Sequence, residues 1–186
     1  MVNDDKVREQ VPQYDRIVMN RNRKTTAAFG NANSVIFVPA RIVSGGQTGV
    51  DRAGLDLAIA IGIEHGGWCP RGRLAEDGTI PSRYELSEND SRDYTVRTRQ
   101  NVVDSDATLI LYERRLRGGT LLTQKVAVSE GKPHLCVAMG DDAVGAIRDW
   151  LRQWKPMALN IAGPRESSHP GIGSRAFDLL ISVFAS

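Results

Sequence analysis

A glycine-rich turn in the first third of the chain carries groups that can bind an anion. It lies in the run RIVSGGQTGVDR (residues 41–52), where a β-branched segment is followed by glycines and then by an amphipathic helix. This order places backbone N–H groups and a helix N-terminus at the carboxyl edge of a sheet, where a phosphate or another oxyanion binds. The turn fits neither the Walker A pattern nor G-x-G-x-x-G, so it predicts neither ATP hydrolysis nor NAD binding. Alternatively, its glycines serve only tight packing of strand and helix.

Two later turns share this composition. The segments 118–123 and 163–167 each follow an apolar strand pattern and supply glycine beside hydroxyl, amide or charged side chains. In an open parallel sheet, turns of this kind meet at the carboxyl edge, where ligands bind. Three of them together predict a site for an anionic ligand, because packing requirements alone seldom repeat this chemistry.

The polar side chains of the two later turns also have structural alternatives. Thr120 and Thr123 can donate hydroxyl hydrogen bonds to a ligand, although Thr120 would serve equally well as a helix N-cap. Arg165 can make a bidentate contact with a phosphate or carboxylate, or it can pair with Glu166 or Asp178.

Among the acidic residues, Asp51 is the best candidate for the predicted site, because the dipole of the following helix favours a carboxylate in its first turn. It can cap the helix, orient Gln47, or hold a ribose hydroxyl or a metal ion, and capping is the simplest role. The three histidines show no Ser/His/Asp order, and no His/Cys cluster has zinc spacing. We therefore assign no catalytic and no metal-ligating residue. The predicted ligand- and phosphate-binding residues are Gly45, Gly46, Gln47, Thr48, Gly49, Asp51, Arg71, Gly118, Gly119, Thr120, Thr123, Gly163 and Arg165.

Strands alternate with helices beyond residue 40. A first strand pattern ends at residue 43, and further strand patterns cover residues 63–68, 107–112, 134–138 and 158–162. Helical patterns cover residues 51–61, 95–103, 142–154 and about 171–184, and a further helix follows residue 118. This alternation predicts an α/β fold, a Rossmann-like three-layer sandwich with a mainly parallel sheet of roughly five to seven strands. The polar segment 69–94 is longer than most connections, which is typical of a functional or mobile loop.

The composition limits the class of protein. With 186 residues, 41% hydrophobic and 25% charged, the chain can bury a proper core in one domain. A net charge of +2 does not indicate a nucleic-acid-binding surface. No apolar run approaches the roughly 20 residues that span a membrane. Two cysteines without a disulfide pattern indicate reduced thiols in a cytoplasmic protein. Residues 1–33 are polar and are expected to form a poorly ordered N-terminal extension, leaving residues 34–186 as the ligand-binding domain.

Motifs along residues 41–183 resemble a known family. They are SGGQTGVDRA (44–53), GWCPRGR (67–73), EDG (76–78), RTRQNV (97–102), DSDAT (104–108), GGT (118–120) and LNIAGPRES (159–167). In this order they resemble the putative molybdenum carrier family, a branch of the Rossmann-like nucleotide-binding proteins that also includes LOG-type phosphoribohydrolases. The resemblance implies a cytoplasmic homo-oligomer, a dimer or tetramer, that binds molybdenum cofactor or a nucleotide through its phosphate.

One departure from the LOG-type pattern bears on catalysis. Those hydrolases carry P-G-G-x-G-T-x-x-E, whose glutamate serves cleavage of an N-glycosidic bond, whereas this chain has Thr123 at the corresponding place. A neutral hydroxyl cannot replace a carboxylate that stabilises a cationic ribosyl transition state. The departure favours binding without turnover.

These observations lead to three hypotheses. The favoured one is a carrier or sensor for a phosphorylated small molecule, with no nucleic-acid or membrane partner. In it, the amides of the glycines and Thr120 hold the phosphate, while Gln47, Thr48, Asp51, Arg71 and Arg165 fix its orientation. The second is a nucleotide-processing hydrolase that takes its carboxylate from Asp51, Glu76 or Glu166. The third is a partner-regulated module in nucleotide signalling.

Overall fold

Five parallel strands form the main sheet of the computed structural model, which describes residues 36–91 and 93–185. They are β1 (Arg41–Val43), β2 (Glu64–Gly66), β7 (Ala107–Tyr112), β8 (His134–Ala138) and β9 (Ala158–Ala162). Their order across the sheet is β2-β1-β9-β7-β8, and each strand pairs in parallel with its neighbours. The predicted α/β fold with a parallel sheet is confirmed. The predicted extension, residues 1–33, lies outside the described residues.

Helices cover both faces of this sheet. They are α1 (Val50–Ile61), α2 (Tyr94–Val103), α3 (Gly118–Ser129), α4 (Ala143–Trp154) and α5 (Ile172–Phe184). Helix α5 contacts α1 and α4, and α2 contacts α3. Right-handed crossovers account for the two layers. From β1 the chain moves outward to β2 at one edge, and from β7 it moves outward to β8 at the other edge. The intervening helices α1 and α3 therefore lie on opposite faces of the sheet. No described helix is both long and apolar enough to cross a membrane.

The carboxyl edge of the sheet is stepped. Val43, the last residue of β1, pairs with Asn160 in the middle of β9. Strand β9 continues to Ala162, which pairs with Ile110, and β7 runs on to Tyr112. The short β1 therefore leaves a recess above the central strand, between the turns that follow β1 and β7.

The two faces of the sheet are packed differently. Leu109, Leu159 and Ile161 belong to the large apolar core shared with α1, α4 and α5. Side chains alternate along a strand, so Thr108 and Asn160 face the opposite layer, where Asn160 Nδ2 donates to Thr108 Oγ1 at 3.3 Å. Beneath α2 and α3 only a small cluster, Val102, Val126 and Ala127, is buried with Leu122 packed against it. Polar groups therefore form the floor of the recess.

The predicted strand 63–68 is divided into two pieces. Strand β2 ends at Gly66, and β3 (Trp68–Cys69) pairs with β6 (Ser87–Glu88) in a separate sheet. Between them, Gly67 has φ 125° and a Cβ there would overlap the Ser44 carbonyl oxygen, so the chain leaves the main sheet at a glycine. Asn101 of α2 holds the diverted segment, accepting from Trp68 N at 2.7 Å and donating to Trp68 O at 3.1 Å. Strands β4 (Leu74–Ala75) and β5 (Gly78–Thr79) form a hairpin within the long polar segment.

The turns after β1 and β9 touch at Gly49. The N–H of Val50 donates to Pro164 O at 3.2 Å. Gly49 has φ 80° and ψ −130°, and a Cβ there would lie 2.5 Å from Pro164 O and 2.9 Å from Glu166 N. Only glycine permits this contact, which brings the first turn against the last.

Replacing Gly49 with alanine is expected to lower the free energy of unfolding by more than about 3 kcal/mol, because strain and backbone overlap add. Gly62→Ala is the control: Gly62 also has a positive φ, 71°, but a Cβ there meets nothing within 4 Å. It should cost only about 1–2 kcal/mol. Urea denaturation of both variants measures the difference, and equal losses would contradict the contact at Gly49.

Candidate functional site

A cavity of about 620 Å³ fills the recess above β9. We call it the edge cavity. Four segments line it: Gly45, Gln47 and Asp51 after β1; Tyr94, Arg97, Thr98 and Asn101 of α2; Arg115, Arg117, Gly118, Gly119, Thr120 and Thr123 around the start of α3; and Asn160, Ala162, Gly163, Pro164, Arg165, Ser168 and His169 at the end of β9 and beyond. Its position is the point where neighbouring crossovers leave the sheet in opposite directions, which is where open α/β sheets bind ligands.

Most of the predicted ligand-binding residues meet in this cavity. Those that line it are Gly45, Gln47, Asp51, Gly118, Gly119, Thr120, Thr123, Gly163 and Arg165. The other four predicted residues are not among its lining residues. Gly46 lies against Leu86 and Ile80, and Gly49 lies against the β9 turn. Thr48 contacts Glu76, and Arg71 is exposed on the long polar segment.

Asp51 places a buried carboxylate on one wall of the cavity. The residue is 8% exposed. Its Oδ2 accepts from Gln47 N at 3.3 Å and from Arg97 Nη1 at 3.4 Å. Burial raises the pKa of Asp51 above its usual value, although Arg97 and the N–H groups of Gln47 and Gly163 oppose the shift. This wall therefore carries a carboxyl group of the protein itself, in an ion pair with Arg97.

Gly45 leaves the space that the Arg97 guanidinium occupies. A Cβ at position 45 would overlap Arg97 Nη1 and would lie 2.8 Å from Asp51 Oδ2. The first glycine of the turn thus allows the ion pair between α2 and α1 to form. Gly45 therefore contributes to this wall by letting Arg97 and Asp51 pack closely against the backbone.

Glu76 links the turns that follow β1 and β9. Its Oε1 accepts from the Thr48 hydroxyl and from Ser167 N at 3.0 Å, and its Oε2 accepts from the Ser167 hydroxyl. Arg165 Nε lies 3.3 Å from Glu76 Oε2, so the ion-pair partner of Arg165 is Glu76 rather than Glu166 or Asp178. Burial acts to raise the pKa of Glu76, but the bonds from Ser167 and Thr48 and the charge of Arg165 outweigh it, and the pKa is lowered. The Gln47 side chain completes the network by accepting from Thr48 N and from Glu76 N, each at 3.0 Å.

Glu166 has a structural partner as well. Its Oε1 accepts from Gly171 N, and its Oε2 accepts from Gly173 N at 3.0 Å. These amides belong to the N-terminus of α5, where a carboxylate is favoured by the helix dipole. Of the three candidate carboxylates, only Asp51 lines the edge cavity.

The opposite wall is the N-terminus of α3, and its donors are unsatisfied. Arg117 is the N-cap residue and makes no side-chain capping bond. Its carbonyl oxygen accepts from Thr120 N at 3.1 Å and from Leu121 N at 3.3 Å, whereas the N–H groups of Gly118 and Gly119 have no hydrogen bond to any described residue. Thr120 therefore lies inside the helix and is not its cap. The Thr123 hydroxyl donates to Gly119 O at 3.0 Å.

The space in front of these amides is open. A Cβ on Gly118 would meet nothing within 4 Å, and one on Gly119 would meet only Tyr94 Cε2, at 3.7 Å. Arg115 and Arg117 stand exposed at the mouth, and within residues 36–91 and 93–185 no carboxylate pairs with either. Free amides, a helix dipole and arginines together suit a phosphate.

Helix α2 supplies site residues that the sequence analysis did not select. Tyr94, Arg97, Thr98 and Asn101 all line the edge cavity. A helix that precedes a parallel strand begins at the carboxyl edge and runs back across the sheet, so its first turns face the site. Polar residues in the first two turns of that helix are the signal by which they could be found.

The donor set fits an anion better than a metal ion. Amide, hydroxyl and guanidinium groups dominate the lining. Within the described part of the chain, no group of three or more His, Cys, Asp or Glu side chains is placed to hold a metal ion. A phosphate-bearing cofactor would therefore be held here through its phosphate.

Comparison with known proteins shows a family and a solved structure to which this chain is similar. Residues 42–184 match the model of the circularly permutated YpsA SLOG family. A crystal structure described as a putative molybdenum carrier protein from Syntrophus aciditrophicus SB is 42% identical, with a TM-score of 0.80. The match covers 83% of this chain and 100% of that one. No curated protein matches. The resemblance noted from the motifs is confirmed.

Replacing Glu76 with glutamine is expected to lower the free energy of unfolding by about 1–2 kcal/mol at pH 7, because charge-assisted hydrogen bonds are lost. A lowered pKa means that the carboxylate stabilises the fold above its usual value of 4.5 and stops doing so as the pH falls through the lowered pKa. The stabilities of wild type and variant, measured by urea denaturation, should therefore converge as the pH falls through this lowered pKa. Glu64→Gln, an exposed carboxylate on β2, is the control. A difference that stays constant with pH would contradict this role.

Proposed function

Because this chain belongs to the circularly permutated YpsA SLOG family, we propose that it binds a phosphorylated small molecule as a carrier or sensor. The ligand is molybdenum cofactor or a nucleotide-like compound, held at the carboxyl edge of the sheet. The observation that carries the proposal is the pair of unbonded amides, Gly118 and Gly119, which face the edge cavity at the start of α3. A cytoplasmic location and a homo-oligomeric state, expected from the motif resemblance, belong to the same proposal.

The two walls of the cavity have different tasks in this proposal. The phosphate lies at the α3 amides, where the helix dipole favours negative charge and Arg115 and Arg117 add hydrogen bonds. The phosphate avoids the other wall, because the carboxyl group of Asp51 lines it. Asp51 and Gln47 instead accept or donate hydrogen bonds to neutral parts of the ligand, such as hydroxyls. The Tyr94 ring, beside Gly119, offers a flat apolar surface to the ligand.

The placement of Thr123 and of the nearby carboxylates supports the proposal of binding without LOG-type hydrolysis. Thr123, at the position of the LOG-type glutamate, uses its hydroxyl to bond Gly119 O within its own helix. Glu76 and Glu166 are both bonded to backbone N–H groups that their loss would leave unpaired. We therefore assign structural roles, and no catalytic role, to Thr123, Glu76 and Glu166.

Gly119→Val is expected to abolish ligand binding and to leave the fold intact, because the new side chain projects into open space where the phosphate would lie. Gly145→Val is the matched control, since Gly145 is also a helical glycine with nothing within 4 Å of its Cβ position. Protein purified gently from its own cells is analysed by native mass spectrometry, then denatured, and the released molybdopterin and nucleotides are identified. Equal amounts of ligand in Gly119→Val and wild type would refute the site.

One observation favours a second function, nucleotide hydrolysis. Asp51 lines the cavity, is buried, and has a raised pKa, and such carboxylates are frequent in active sites. In this case the Asp51 carboxylate would stabilise a ribosyl cation, and its ion pair with Arg97 would keep the carboxylate ionised and in position.

A panel of nucleoside monophosphates, followed by chromatography for the released base, separates the two functions. A hydrolase releases base, and Asp51→Asn lowers that rate by roughly 100-fold or more while the nucleotide still binds. A carrier binds a member of the panel or molybdopterin and releases no base. Base release that survives in Asp51→Asn would remove Asp51 from the reaction.

A further inference from the structure

A second cavity, of about 430 Å³, adjoins the edge cavity and is rich in arginine. We call it the arginine cavity. The two cavities share Arg115, Arg117, Ser168 and His169 as lining residues, so they are neighbouring parts of one groove. The arginine cavity adds Glu113, Arg114, Pro170 and Arg175, none of which lines the edge cavity.

The charges of the arginine cavity are not balanced by the protein. Glu113 pairs with Arg175, which also donates from Nη1 to Pro170 O at 3.2 Å. Arg114, Arg115 and Arg117 have no carboxylate partner anywhere in residues 36–91 and 93–185. Like charges held on one short loop repel one another, so an anion placed among them is strongly favoured.

The wall between the two cavities also has unused hydrogen-bonding capacity. His169 Nδ1 is buried and has no hydrogen-bond partner among the described residues. The backbone around it is held, with His169 N donating to Glu166 O at 3.1 Å and His169 O accepting from Ile172 N at 3.0 Å. A wall fixed by its backbone, with Arg115 and Arg117 lining the cavities on both sides of it, suits a ligand that extends from one cavity into the other.

We propose that the ligand carries two phosphate groups in series, as in a nucleoside diphosphate or a diphosphate-linked cofactor. The first phosphate lies at the Gly118 and Gly119 amides, and the second lies in the arginine cavity near Arg114. Arg115 and Arg117, which line both cavities, contact both phosphates. This inference rests on the proposed function and adds to it the substrate class: diphosphates are preferred to monophosphates.

Inorganic phosphate and inorganic pyrophosphate are probes that test this preference without knowledge of the organic part of the ligand. Their affinities are measured by isothermal titration calorimetry at constant ionic strength on the full chain. We expect pyrophosphate to bind at least about 30-fold more tightly than phosphate, because guanidinium–phosphate hydrogen bonds are charge-assisted. Arg114→Gln should weaken pyrophosphate binding about tenfold and leave phosphate binding unchanged, since Arg114 lines only the arginine cavity.

Arg152→Gln is the matched control. It removes one partly exposed arginine from α4, where Arg152 pairs with Asp149, and lowers the net charge equally. It should change neither affinity. Arg114 is exposed, and its side chain makes no hydrogen bond with any described residue, so its variant is expected to fold normally. The melting temperature checks this.

The outcomes separate this inference from the proposed function. If phosphate binds and Gly119→Val abolishes that binding, but pyrophosphate binds no more tightly and Arg114→Gln has no effect, the second phosphate site is refuted while the proposed function stands. If neither phosphate nor pyrophosphate binds, both the proposed function and the second phosphate site are refuted. If a single-stranded oligonucleotide competes for the groove more strongly than pyrophosphate does, the groove is a nucleic-acid surface and the inference is overturned.

Discussion

The buried carboxylate of Asp51 is the constraint on which the arrangement of the site depends. A charge removed from water costs several kcal/mol unless its lone pairs are satisfied. Its partners come from separate parts of the chain: the amide of Gln47 in the first turn, Gly163 after β9, and the guanidinium of Arg97 on α2. Moving any of these segments would leave a buried charge unpaired. The turn after β1, the end of the central strand and the first turns of α2 are therefore fixed relative to one another.

The carboxyl edge is divided by this arrangement into two halves of opposite electrostatic character. In one half, Asp51, Glu76 and Glu166 act as internal anions and satisfy the N–H groups that an external phosphate would otherwise bind. In the other half, the N–H groups of Gly118 and Gly119 and the side chains of Arg115 and Arg117 have no such partner within residues 36–91 and 93–185. In the proposed function, this difference would orient a ligand that has a charged end and a neutral end, because its charged end is favoured only beside the unpaired donors.

The sequence pattern predicted the elements well, because apolar periodicity reflects burial, and three glycine turns had to meet at one edge once the sheet was parallel. The partners of those turns could not be predicted. Glu76 lies in a polar segment without periodicity, so nothing in the pattern indicated that it would bond Thr48, Ser167 and Arg165. The position of β9 between β1 and β7 was equally hidden, since strand order depends on how whole crossovers pack. That order brings α2 to the site.

The place of β9 in the sheet also has a consequence for how the chain is made. It is the last strand along the described chain, yet it joins β2-β1 to β7-β8. During synthesis, two strand pairs exist first, each with an unpaired edge, and such edges are templates for aggregation. The two halves cannot close until residues 158–162 have emerged from the ribosome. A chain truncated before β9 therefore keeps unpaired strand edges on both halves of the sheet, which favours aggregation.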